Sequence, residues 1–116
     1  PMHQLISDKF SVMVREYIMN TKSDGYGLPT VSYFADKLHV STNYLGDIIK
    51  KETHQTPIEM MHQIMINLAK ELLHDFEKNI SEISHQLGFT YAAHFTRFFK
   101  NKMGLTPNEY RRNLNR

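Results

Sequence analysis

Apolar positions recur at helical spacing over most of the chain, interrupted by short polar or glycine-bearing stretches. From Ser7 to about Asn20, Ile6, Phe10, Val14, Tyr17 and Ile18 line one side of a predicted helix. Thr21 to Pro29 carries the glycines, proline and small polar residues of a loop. Thr30 is placed to cap a helix that ends near Leu38, with Phe34, Ala35 and Leu38 facing its core. The helix from Ser41 to Thr53 puts Tyr44, Leu45, Ile48 and Ile49 on the core side and Asn43, Asp47 and Lys50 outward. Thr56 opens the longest helix, running to about His74 or Asp75. Its Ile58, Met61, Ile64, Met65, Leu68, Ala69, Leu72 and Leu73 cover more than one side, as a helix wedged between two lobes requires. After a break at Phe76-Glu77-Lys78-Asn79, Ile80, Ile83 and Leu87 mark another short helix, and Gly88 permits a sharp turn. Thr90 is expected to cap the next helix, whose Phe95, Phe98 and Phe99 oppose Ala93, Arg97 and Lys100. His94, Thr96 and Asn101 flank that outward set. The pattern predicts an all-α fold of about seven helices.

The same unit occurs twice. Thr30 to Leu38 lies over Asn79 to Leu87, and after one extra residue Leu45, Ile48, Ile49 and Lys50 lie over Phe95, Phe98, Phe99 and Lys100. Thr56-Pro57-Ile58-Glu59 then matches Thr106-Pro107-Asn108-Glu109. In both quartets a capping threonine precedes a proline at the first helical position and a glutamate at the third, which starts a helix abruptly. His39 and His54 fall where the second copy has Gly88 and Gly104, positions that ask for left-handed backbone. Two helix-turn-helix subdomains follow, at 1–55 and 77–116, joined by a linker helix at 56–76. At ~1.5 Å per residue the linker would be close to ~30 Å long, against ~34 Å for one turn of DNA. Helices near 42–53 and 91–103 are the candidate recognition helices.

In order and spacing, Leu87-Gly88-Phe89, His94-Phe95-Thr96-Arg97-Phe98-Phe99-Lys100 and Gly104-Leu105-Thr106-Pro107-Asn108-Glu109-Tyr110-Arg111-Arg112 resemble the two-motif DNA-binding domain of AraC/XylS-type bacterial transcription regulators. The resemblance covers nearly everything from about Val31 onward. It implies a cytoplasmic domain that binds double-stranded DNA, with recognition helices in successive major-groove segments. It also implies contact with RNA polymerase, and an effector-sensing or dimerisation domain upstream of Pro1. By resemblance, Ala92, Ala93, His94 and Arg97 occupy base-facing positions in the second motif, and Thr42, Asn43, Gly46 and Asp47 do so in the first. Arg97 has the planar fork that pairs with guanine O6 and N7, and Asn43 can bridge adenine N6 and N7. Two alanines leave only apolar contact, suited to thymine methyls. Asp47 departs from the family's common arginine; an intrahelical pair with Lys50 or Lys51 is expected there, ahead of a contact to cytosine. Lys50, Lys51, Lys100 and Lys102 are read as phosphate contacts that position the helices without choosing sequence. Arg111 and Arg112 are either further phosphate contacts or structural.

Composition narrows the alternatives. The net charge is only +2, so local charge matters more than the total. From Arg97 to the C-terminus the basic residues Arg97, Lys100, Lys102, Arg111, Arg112 and Arg116 stand against the single acid Glu109. With no cysteine, disulfide frameworks and thiolate metal sites are excluded. The seven histidines include no pair at metal-ligand spacing, so neither a metal nor a cofactor is expected. Neither a membrane-length apolar run nor a secretory signal is visible. No strand-turn elbow, phosphate-cradling loop or paired carboxylates point to catalysis. The competing reading is an all-helical protein-interaction module of the same fold that does not bind DNA.

Overall fold

Helix starts in this chain are set by side chains that satisfy the first orphan backbone donors. In the computed structural model, which describes residues 5–21 and 27–114, seven helices follow one another: α1 Ile6–Thr21, α2 Val31–Lys37, α3 Thr42–Thr53, α4 Pro57–Leu73, α5 Ile80–Gln86, α6 Ala92–Met103 and α7 Pro107–Leu114. Residues 22–26 of the expected loop lie outside the described residues. Thr30 accepts from the Tyr33 N–H and Ser41 from the Tyr44 N–H. Thr56 with Glu59, Asn79 with Glu82, and Thr106 with Glu109 form reciprocal capping boxes. The first helix is capped from a distance. Its Ser7 N–H donates to Glu52 Oε1 at 2.7 Å, so the end of α3 closes the start of α1.

Helix ends follow the expected chemistry as well. His54 and Gly104 close α3 and α6 at φ of 64° and 82°, and His39 turns at φ 60°. Gly88 turns at φ 101°, and a Cβ there would stand 2.6 Å from the Gly27 carbonyl oxygen. The turn of the second motif therefore sits directly on the segment that leads into α2.

One continuous apolar cluster runs through both motifs. Phe10, Val14 and Ile18 of α1 and Met61, Met65 and Ala69 of α4 are all buried, each pair separated by 51 positions. Thus α1 stands to the first motif as α4 stands to the second, and the repeat begins earlier than Thr30. Edge-on rings fill the first motif, with Phe10 and Phe34 at 5.6 Å. In the second, Phe95 and Phe99 pack at 5.9 Å, and Phe99 meets Tyr110 of α7 at 5.7 Å.

Several expected details differ. The linker helix α4 spans 17 residues and ends at Leu73 with His74 as its C-cap, ~25 Å at the usual rise rather than ~30 Å. Ile58, expected among the apolar contacts, is exposed, and Ile66, not among the expected ones, is buried. Tyr44, expected on the core side, is 51% exposed: in the first turn of α3 it has too few neighbours to cover it. Thr90 does not cap α6, which starts one residue later behind Tyr91. No helix among the described residues is long and apolar enough to cross a membrane.

Candidate nucleic-acid interface

Each candidate recognition helix is fixed by its back. In α3, Leu45 and Ile49 are fully buried; in α6, Phe95 and Phe99 are. What remains on the other side is polar. Thr42, Asn43, Asp47, Lys50 and Lys51 are exposed on α3, with Gly46 half-buried. Ala93, His94, Arg97, Lys100, Asn101 and Lys102 are exposed on α6, with Ala92 half-buried. Arg97 makes no hydrogen bond or ion pair among the described residues, so its fork is free to meet something else. Asp47 is likewise unpaired, which corrects the expected link to Lys50 or Lys51. Exposed pairs gain little over separate solvation.

One ring contact joins α4 to α6. The His62 ring stands edge-on to Phe98 at 5.2 Å, beside a cleft of about 220 Å³ that also takes in Glu59 and Lys102. Burial lowers the basicity of His62, and the nearby Lys102 charge lowers it further. The Glu59 carboxyl is held below its ordinary value chiefly by the backbone and hydroxyl of Thr56, with Lys50 and Lys102 adding attraction. One carboxylate at the start of α4 thus feels lysines from the last turns of both α3 and α6. Glu109 repeats the arrangement, held low by Thr106 and then by Lys100 and Arg112.

Arg111 and Arg112 sit in different surroundings. Arg111 donates to the carbonyls of Leu73 at 3.1 Å, Asp75 at 3.1 Å and Lys78 at 2.7 Å. Three of its donors are therefore occupied inside the fold, and it is set aside as a phosphate contact. Arg112 is exposed. Tyr91 escaped the sequence reading. It is 63% exposed at the head of α6. The available signal was the lack of a capping side chain immediately before Ala92, which the neighbouring Thr90 obscured.

A helix-turn-helix domain model matches residues 34–113. The chain belongs to the AraC-type helix-turn-helix family. This AraC-type domain is 34% identical to Histidine kinase P4 of Formosa agariphila over 92% of its length, which is 7% of the kinase. It is also 34% identical to the C-terminal domain of AraT, a response regulator from Geobacillus stearothermophilus, with TM-score 0.72 over 90% of this chain and 84% of that one. The DNA-binding domain of AdpA, a global transcriptional factor solved with a target DNA, shares the fold at 16% identity and TM-score 0.74, covering 90% of this chain and 88% of that one. Further curated relatives are named as transcription regulators, and the chain spans 11% to 30% of their lengths.

Proposed function

We propose that this AraC-type domain binds double-stranded DNA sequence-specifically and serves as the output unit of a transcription regulator. The observation that carries this reading is the pair of helices with buried apolar backs and exposed polar fronts, on which Arg97 makes no hydrogen bond or ion pair among the described residues. In this reading α3 and α6 enter successive major-groove segments on one face of the duplex. The 44 Å long axis of the domain is long enough to cover one ~34 Å turn. Arg97, His94, Ala93 and Ala92 meet bases from α6, and Asn43, Thr42, Gly46 and Asp47 do so from α3. Lys50, Lys51, Lys100, Lys102 and Arg112 meet phosphates. The unpaired Asp47 carboxylate makes α3 the weaker reader, since it repels phosphate unless a cytosine amine satisfies it. The two relatives at 34% identity are a histidine kinase and a response regulator, which supports placing the domain at the receiving end of a phosphotransfer signal.

The test is selection of duplexes from a random pool, followed by titration of the winner at several salt concentrations. Arg97→Ala is expected to relax sequence choice at one base pair by about 1–3 kcal/mol. Lys100→Ala is expected to weaken all duplexes alike and flatten the salt slope by about one unit. If neither change alters DNA affinity and both abolish a protein contact, the domain is an interaction module instead.

A further inference from the structure

Six of the seven helices begin under a side-chain acceptor. Thr30, Ser41, Thr56, Asn79 and Thr106 each take a backbone N–H of their own first turn, and Glu52 takes one from α1. Only α6 starts without one, behind Tyr91. In the first motif the equivalent position is Ser41, which caps α3. A serine at 91 would therefore suit the fold better than the tyrosine does. Tyr91 returns little to the core in exchange. It is more exposed than any other large apolar residue described, and its ring contact is the edge-on approach to His94 at 5.5 Å. A departure from local preference without internal compensation is the mark of a residue kept for what it meets outside.

Its neighbours indicate what that is. Ala92 and Ala93 follow it in the first turn of α6, and the exposed cations Arg97, Lys100 and Lys102 lie further along the same helix. An apolar lip beside a row of cations suits a surface that is anionic yet carries small apolar groups. In the major groove the thymine 5-methyl is that group. We infer that the Tyr91 ring extends the Ala92–Ala93 surface and packs on a thymine methyl at the end of the α6 footprint. This rests on the DNA-binding reading above and adds a specificity-determining residue to it.

The experiment uses the full chain and its selected duplex, with each thymine replaced in turn by deoxyuridine, which removes the methyl and keeps the pairing. Removing a contacted methyl is expected to weaken binding about fourfold, the usual worth of one buried methyl. Tyr91→Ser abolishes that sensitivity at the same thymine, while Tyr91→Phe preserves it. Tyr91→Ser also raises Tm by about 4 °C through its new cap, so loss of discrimination cannot be laid to unfolding. Binding with no thymine sensitivity, or sensitivity that survives Tyr91→Ser at every thymine, overturns the lip alone. So does a Phe variant that loses as much as the Ser variant, since the phenol would then be the contact. Failure to bind any duplex removes the parent reading and the lip together.

Discussion

The Arg111 guanidinium lies over the Phe76 ring, 5.3 Å from its centroid, and from there reaches the carbonyls of Leu73, Asp75 and Lys78. Those oxygens belong to the end of α4 and the turn after it, where carbonyls lack helical partners and a positive charge is favoured. The last helix thus ties down the junction that hands the chain from the linker to the second motif.

Arg111→Ala should therefore cost about 2 kcal/mol in urea unfolding, because it removes the donor from the partly buried Leu73 and Lys78 carbonyls. Arg112→Ala should change stability by less than ~0.5 kcal/mol, as exposed substitutions usually do, and should weaken duplex binding. Equal stability losses for the two would contradict this division of roles.

Ser84 is 1% exposed, and its hydroxyl has no hydrogen-bond partner among the described residues. At the equivalent place in the first motif is Ala35, buried to the same degree. Ser84→Ala removes an unsatisfied buried oxygen without leaving a sizeable hole, and is expected to stabilise the domain by about 1 kcal/mol. A loss of stability would mean that the hydroxyl has a partner after all.

Acid should destabilise the domain in two stages. His62 is less basic in the folded state than its ordinary 6.5, first through burial and then through Lys102. Below that pH the unfolded chain takes up the proton more readily, so stability falls as pH drops. Glu52, Glu59 and Glu109 are all held below their ordinary 4.5. Burial pushes Glu52 up, but hydrogen bonds from Ser7 and Ile6 outweigh it. Their contributions are present above that value and vanish only as pH falls through the lower folded values. Urea unfolding between pH 7.5 and 5.5 should show the histidine stage alone, and His62→Gln should flatten it. An unchanged slope in that variant would rule His62 out as the cause.

The sequence was most informative where structure is local. Capping quartets at Thr56 and Thr106 set helix starts to the residue, and His39 and His54 turn with positive φ as their places in the repeat require. Legibility failed where burial depends on distant partners. Nothing near Arg111 in sequence announces carbonyls 33 to 38 residues away. The parallel between α1 and α4 was hidden because Phe10, Val14 and Ile18 differ in type from Met61, Met65 and Ala69. At Tyr44 and Ile58 helical projection chose the core side, yet first-turn positions have too little packed around them to be covered. The candidate contacts on α6 were readable because one stripe of phenylalanines fixes which way the rest must point.

The central claim, that one rigid domain presents both recognition helices to the same side of a duplex, is tested most directly by changing the phase of its two half-sites. Inserting five base pairs between them, about half a helical turn, should reduce affinity on the order of 100-fold, to that of a single motif. Unchanged affinity for the rephased duplex would contradict it.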